Sequence, residues 1–221
     1  MKTVLSALAL TALAGVASAR PVLYSQPVDT SAGGIFSDAI TGQYYDQLIG
    51  DGFALSGNSQ VTGVTFWGAS ENFSGDVDLS NMSSFTVTLH ANAAGIPGAA
   101  LYSETFATAA TNPVQIGVDP FAGSNLYRQE VTFTAAQNLA AGSYFVSIGA
   151  TLIDGFGSAW IWESSLGGFG DNISAQLPVG GAWANFAGFG DMSFEINGVV
   201  PTPGAASLLG VAGLAGLRRR R

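Results

Sequence analysis

Two tryptophans occupy alternate positions of one short stretch, residues 159–163. In a β-strand alternate side chains share a face, so Trp160 and Trp162 would lie side by side. A flat aromatic ring can stack on the apolar C–H face of a sugar. The pair therefore predicts a carbohydrate-binding platform, to which Trp67 and Trp183 are further candidates. Burial of the pair in a β-sheet core is the alternative interpretation.

Oxygen-bearing side chains cluster in a second segment, at Asp76, Asp78 and Asn81. Carboxylate and amide oxygens are the ligands that calcium prefers. The segment lacks the central glycine and the closing bidentate glutamate of an EF-hand loop. It predicts either a calcium site or an acidic surface turn, and no other cofactor is expected.

Glycoside hydrolysis would require two carboxyl groups about 5–10 Å apart. Glu163, which follows the tryptophans, and Glu195, on another predicted strand, are the best candidates for such a pair. A serine triad is not expected, because His90 lies in a threonine-rich strand and the chain has no Gly-x-Ser-x-Gly elbow beside it. We expect His90 to be an exposed strand residue. No residue is assigned as catalytic, and we expect no enzymatic activity.

Composition excludes several kinds of site and partner. The 221 residues include no cysteine and one histidine, which rules out thiol catalysis, disulfides and multi-histidine metal sites within one chain. Only 10% of the residues are charged. Between the two ends, the basic residues Arg20 and Arg128 stand against 15 acidic ones, a formal charge of 2 − 15, or −13. Such a surface repels phosphates, so no nucleic-acid partner is expected.

The middle of the chain has the period-two pattern of half-buried β-strands. Phe85, Val87 and Leu89 alternate with two threonines and His90. Turn-forming residues separate this segment from other predicted strands, which are 61–67, 100–106, 127–133, 143–148, 159–163 and 192–197. Strands with one apolar face predict antiparallel sheets packed on each other. We expect a single antiparallel β-sandwich over residues 20–198, jelly-roll-like and of about 8–10 strands.

Residues 1–19 have the three parts of a secretory signal peptide. Lys2 supplies the positive charge, residues 4–16 are apolar and uncharged, and Ala19 ends a small-residue cleavage pattern before Arg20. An uncleaved membrane anchor is the alternative, for which the apolar run is short. We therefore expect the chain to be exported.

Residues 199–221 combine a proline motif, an apolar segment and a basic end. Residues 204–217 would span about 21 Å as a helix, which is short of the ~30 Å hydrocarbon core of a bilayer. The motif comprises Val200, Pro201, Thr202, Pro203 and Gly204. The basic end comprises Arg218, Arg219, Arg220 and Arg221. Arginines resist translocation, so this C-terminal segment would hold an exported chain transiently in the inner membrane.

This C-terminal end resembles the PEP-CTERM sorting signal of Gram-negative bacteria, in the Pro-Thr-Pro-Gly variant common in planctomycete-type bacteria. The resemblance covers roughly the last 22 residues. Thr202 stands where that family usually has glutamate. The resemblance implies processing by an exosortase, an integral membrane enzyme of transpeptidase type, and a place in the envelope or matrix of cells that make exopolysaccharide. An ordinary C-terminal tail anchor is the alternative.

The body is more weakly similar to the extracellular β-sandwich domain that often precedes such tails. The similar segments are 36–38, 43–46, 52–55, 61–68, 100–104 and 141–148. This second resemblance implies a fold and a location, and it implies no activity.

The sequence as a whole favours a non-enzymatic structural or adhesive protein of the cell envelope or extracellular matrix. Its expected partners are signal peptidase, an exosortase-type enzyme and exopolysaccharide. A carbohydrate-binding module with a tryptophan platform is the first alternative, and a secreted glycoside hydrolase is the second. An exposed tryptophan pair in a groove would favour the module. Two converging carboxyl groups in a deep cleft, one with a raised pKa, would favour the hydrolase.

Overall fold

A computed structural model describes residues 21–43, 45–72, 78–154, 158–166 and 173–201. These residues form 13 β-strands and one 3-10 helix, Thr108–Thr111, so the predicted all-β class is confirmed. In chain order, β1 to β13 are Val22–Gln26, Gly34–Phe36, Leu48–Leu55, Ser59–Asn72, Met82–Asn92, Pro97–Ala107, Val114–Val118, Asn125–Leu139, Gly142–Leu152, Ser158–Glu163, Ile173–Gln176, Trp183–Phe186 and Phe194–Val199.

The strands form where the sequence alternates, as β5 illustrates. Phe85, Val87 and Leu89 are fully buried on its inner face. On its outer face, the hydroxyls of Thr86 and Thr88 hydrogen-bond to hydroxyls on β6 at 2.9 and 2.8 Å. Cross-strand pairs of this kind fix the register of a sheet. Every predicted strand segment falls on an observed strand, and most of the observed strands are longer.

The strands pair into two antiparallel sheets, the arrangement of a β-sandwich. In the seven-stranded sheet, β7 pairs with β8 and β8 with β4. Along its other edge, β4 pairs with β13 over its first part and with β10 over its last part. β13 in turn pairs with β1, and β10 pairs with β2. The six-stranded sheet has the order β12-β11-β3-β9-β5-β6.

The predicted number of 8–10 strands was too low, because five strands are only three to five residues long. Strands this short, β1, β2, β7, β11 and β12, contain too few alternating positions to stand out in a sequence. When β2, β7, β10, β11 and β12 are left aside, eight strands remain: β1, β3, β4, β5, β6, β8, β9 and β13. Numbered one to eight in chain order, they lie as 1-8-3-6 in one sheet and 2-7-4-5 in the other.

An aromatic cluster joins the two sheets. The ring of Trp160 lies 5.8 Å from Phe66 and 5.2 Å from Phe85, edge-to-face in both pairs. Trp160 and Trp162 are both fully buried, and the indole of Trp162 donates to the carbonyl oxygen of Ser193 at 2.8 Å. The predicted sugar platform on these two residues is therefore wrong, and core burial is correct. Large aromatic area gains more free energy inside the core than at the surface.

Both predicted terminal signals lie mainly outside the described residues. Ala19, Arg20 and the segment 202–221 are not among them. Of the sorting motif, Val200 and Pro201 are described, and both are exposed after β13 ends. No helix in the described part of the chain has the length and apolar character needed to cross a membrane.

Gly68 provides a test of how tightly this core is packed. A Cβ at Gly68 would clash with the indole nitrogen of Trp160 and would lie 2.6 Å from the carbonyl oxygen of Ile161. A Cβ at Gly57 would meet nothing within 4 Å. We expect Gly68→Ala to lower the free energy of unfolding by about 1–3 kcal/mol, because the strand or the indole must shift. We expect the control Gly57→Ala to change it by less than about 0.5 kcal/mol. Urea denaturation measures both, and equal midpoints would contradict the packing described here.

Candidate functional site: an aromatic cleft above a buried carboxyl pair

An open cleft of about 460 Å³ lies on the outer face of the seven-stranded sheet. The alternation of β10 places it there. Because Trp160 and Trp162 face the core, Ile161 and Glu163 face the opposite side of the sheet. Ile161 lines the cleft together with Gly34 of the neighbouring strand β2. The cleft is therefore built directly on the outer surface of the strand that carries the tryptophans.

Aromatic side chains line the cleft. Phe36 and Tyr45 stack almost parallel, with ring centroids 3.7 Å apart and an angle of 6°. Phe121, on the loop between β7 and β8, also lines the cleft and is 80% exposed. Phe189 lines it as well and stacks on Phe186 at 4.8 Å. Exposed aromatic faces in a cleft are suited to binding ring-shaped ligands.

Asp119 holds the β7–β8 loop in shape. Its Oδ1 accepts hydrogen bonds from the backbone N–H groups of Phe121, at 2.8 Å, and Ala122. Its own N–H donates to the carbonyl oxygen of Ser124 at 2.8 Å, and its carbonyl oxygen accepts from the N–H of Gly123 at 3.0 Å. Aspartate favours turns because its side chain can bond the backbone in this way. Asp119 thereby fixes the position of Phe121 at the cleft.

A pair of buried carboxyl groups lies beneath this loop. Glu163 and Asp119 are both fully buried, and their side chains lie within hydrogen-bonding reach of each other. Within the described residues, no N–H or hydroxyl donor reaches either oxygen of Glu163 or Oδ2 of Asp119. Burial, then the hydrogen bond to Asp119 and its charge, and lastly the charge of Asp29, raise the pKa of Glu163 to about 9. The raised pKa favours the protonated form of Glu163 at neutral pH, and a protonated Glu163 can donate a hydrogen bond to the neighbouring carboxylate of Asp119.

A third carboxyl group belongs to the cleft. Glu71 lines it, and burial, followed by the charge of Asp119, raises the pKa of Glu71. Arg128 is the one basic side chain in the described ranges, and it pairs with Glu130 at 3.2 Å. Arg128 does not line the cleft. The acidic groups of the cleft therefore have no cationic side chain beside them within the described structure.

The structure separates residues that the sequence had grouped together. Glu163 lies under the cleft, whereas Glu195 is not among the residues that line it and accepts a hydrogen bond from Ser25 at 3.4 Å. Trp67 is buried in the seven-stranded sheet, and the half-buried Trp183 belongs to the other sheet. Neither the predicted hydrolase pair nor the four-tryptophan platform is brought together at the cleft.

His90 is buried, contrary to the prediction of an exposed residue. Its Nε2 lies 2.9 Å from the hydroxyl of Ser147 and its Nδ1 lies 3.3 Å from the carbonyl oxygen of Gly98. The indole of Trp183 packs edge-on against the imidazole at 5.5 Å. Burial lowers the pKa of His90, which favours the neutral form. Ser147 is also buried, so this histidine–serine contact has no access to a substrate.

The predicted calcium segment is described only in part, because Asp76 lies outside the described residues. Asp78 accepts a hydrogen bond from the N–H of Ser80 at 2.9 Å. The side-chain amide of Asn81 donates to the carboxylate of Asp154 at 2.7 Å, and its oxygen accepts from the backbone N–H of Asp154 at 3.3 Å. Among the residues with described positions, no group of three or more His, Cys, Asp or Glu side chains could hold a metal ion. The calcium site stays a prediction.

Comparison of the chain with protein-family models, with curated proteins and with solved structures finds no match. The assignment of the site therefore depends on the geometry of this structure alone. No pattern in the sequence groups Phe36, Tyr45, Asp119 and Phe121 into one site. One signal was present, since residues 119–123 read Asp-Pro-Phe-Ala-Gly, a turn sequence with a large aromatic at its centre.

The carboxyl pair predicts an unusual dependence of stability on pH. The folded state keeps the proton of Glu163 that the unfolded state releases above about pH 4.5. This contribution to stability is complete below that pH and is lost as the pH rises towards about 9. Its slope is at most about 1.4 kcal/mol per pH unit. Glu163→Gln supplies a donor to Asp119 at every pH, so we expect its stability relative to wild type to increase steadily over this range.

Urea denaturation at several pH values measures this difference. Glu195→Gln is the control, because it removes a carboxyl group that is hydrogen-bonded to Ser25 rather than to another acid. We expect the pH-dependent gain in stability of Glu163→Gln to exceed that of this control. A Glu163→Gln variant whose stability ran parallel to wild type at all pH values would show that Glu163 is ionised in the folded protein.

Proposed function

We propose that this chain is an exported protein of the cell envelope or extracellular matrix whose body binds carbohydrate, in an adhesive or structural role without catalysis. The cleft is the observation that carries the proposal. It combines the stacked rings of Phe36 and Tyr45 and the exposed ring of Phe121 with the carboxyl groups of Glu71 and Asp119. Aromatic faces suit the C–H face of a sugar, and carboxylates accept hydrogen bonds from its hydroxyls.

Hydrolysis is the weaker proposal for the same cleft. The raised pKa of Glu163 is that of a general acid, and such groups do mark some active sites. However, Glu163 is fully buried and its proton is directed at Asp119. A glycosidase acid must instead reach the glycosidic oxygen, with a second carboxyl group about 5–10 Å away. We therefore assign the pair to holding the β7–β8 loop.

The strand order supports the finer assignment of the body as a jelly roll. Orders of 1-8-3-6 and 2-7-4-5 are what two interleaved Greek keys produce in a pair of sheets. Lectin domains are among the proteins that use this architecture. A fold hosts many functions, so this analogy adds to the case for carbohydrate binding without replacing the cleft.

The second half of the proposal is that the chain is exported and sorted, and it is supported by the sequence patterns of residues 1–19 and 199–221. Signal peptidase would cut between Ala19 and Arg20, and an exosortase-type enzyme would process the motif 200–204. Until then, residues 204–217 would hold the chain in the inner membrane with its body outside. The formal charge of −13 between the ends makes nucleic acid an unsuitable partner. Exopolysaccharide is the proposed ligand because the resemblance of the C-terminal end implies it.

Truncation of the exposed cleft aromatic tests the binding proposal. We expect Phe121→Ala to weaken binding of the purified protein to a polysaccharide by about tenfold, or ~1.4 kcal/mol, because the loop loses its stacking surface. Ile153→Ala is the matched control, since Ile153 is also strongly exposed but does not line the cleft. Affinity electrophoresis in gels that contain polysaccharide measures both. Equal retardation of the two variants would locate binding elsewhere.

Replacement of the four terminal arginines tests the sorting proposal. Each arginine costs about 2.5–3.5 kcal/mol at the centre of a membrane helix, so together they are the main barrier to complete export. We expect the variant with serine at positions 218–221 to accumulate unprocessed outside the membrane, while its body keeps its fold. Immunoblots of membrane and extracellular fractions of the native host follow precursor and mature forms. Normal processing of the variant would refute the stop-and-sort role.

A further inference from the structure

The cleft places negative charge beside aromatic rings. Glu71 and Asp119 both line it, and the charge of Asp119 acts on Glu71. Two carboxylates that lie close together repel each other, and a positive charge between them offsets this repulsion. An ammonium group is also attracted to an aromatic face such as that of Tyr45 or Phe121. The lining of the cleft is thus complementary to a cation.

Asp119 presents a fixed acceptor to this space. It lines the cleft although it is fully buried, and two backbone N–H groups hold its Oδ1. Its Oδ2 receives no N–H or hydroxyl donor from the described chain, and the acid proton of Glu163 is the donor within its reach. A carboxylate oxygen has two acceptor positions. Oδ2 therefore keeps one acceptor position that the described chain does not use, and the negative charge of Asp119 acts on the cleft residue Glu71 although Asp119 is fully buried.

The described part of the chain supplies no cation of its own to the cleft. Arg128, its one basic side chain, contacts Glu130 at 3.2 Å and Thr65 at 3.5 Å away from the cleft lining. The remaining basic residues belong to the two terminal segments, outside the described residues. The positive charge that complements Glu71 and Asp119 is therefore best supplied by a ligand.

We propose that the cleft selects saccharides that carry a free amino group, with the ammonium at Glu71 and Asp119 and the sugar ring against the aromatic faces. An N-acetylated sugar replaces the ammonium by an uncharged and bulkier amide, and a neutral sugar replaces it by a hydroxyl. Both lose the charge-assisted hydrogen bonds, which are about twice as strong as neutral ones. This selectivity rests on the carbohydrate binding proposed above.

Calorimetric titration with three oligosaccharides of equal length tests the selectivity. The probes are a glucosamine oligomer, an N-acetylglucosamine oligomer and a neutral glucose oligomer, each at low and moderate salt. We expect the glucosamine oligomer to bind at least about tenfold more tightly, and its advantage to shrink with added salt. We expect Glu71→Gln to weaken binding of the glucosamine oligomer about five- to tenfold more than it weakens binding of the other two, so that the advantage shrinks by that factor.

Glu195→Gln is the charge-matched control, because it removes one carboxylate from the same sheet but outside the cleft. An equal effect of both variants would mean that long-range charge alone attracts the cationic sugar, which overturns the proposal. Equal binding of all three sugars, weakened by Phe121→Ala, would overturn the selectivity and leave carbohydrate binding standing.

A small ammonium probe separates the remaining outcomes. Binding of tetramethylammonium that Glu71→Gln weakens, without binding of any oligosaccharide, would overturn the carbohydrate function and the sugar specificity while keeping a cation site. Absence of binding by all four probes would overturn both proposals.

Discussion

The opposite orientation of neighbouring side chains on β10 connects the core of this protein to its cleft. Trp160 and Trp162 turn inward and fill the space between the sheets. Since alternate residues of a strand face opposite ways, Ile161 and Glu163 must turn outward. Glu163 is nevertheless fully buried, and its carboxyl group lies within hydrogen-bonding reach of Asp119 on the β7–β8 loop. Core packing, loop position and cleft shape therefore depend on one strand.

The scarcity of basic side chains gives the cleft its chemical character. A buried acid is normally stabilised by a cation or by several donors, and here the described chain offers neither to Glu163. The protonated form of Glu163 therefore has the lower free energy, and its carboxyl group becomes a hydrogen-bond donor for Asp119. Asp119 can then hold the loop that carries Phe121. Glu71 lies in the cleft lining, where the charge of Asp119 acts on it, and we propose that its carboxylate meets the positive charge of a ligand.

Much of the fold could be predicted from the sequence, because alternation such as that of Phe85, Val87 and Leu89 reports directly on a half-buried strand. The site could not be predicted, for two physical reasons. Alternation shows that Trp160 and Trp162 share a face, but it does not show which face the second sheet covers. The cleft also joins residues far apart in the chain, from Phe36 to Phe121, and only strand pairing brings them together.

A crystal structure of the protein soaked with an oligosaccharide shows directly whether sugar binds in the cleft. We expect a sugar ring against Phe121 and the stacked pair of Phe36 and Tyr45, with a polar substituent at the carboxyl group of Glu71. Sugar bound on another surface of the sandwich, with the cleft empty at the same ligand concentration, would contradict this expectation.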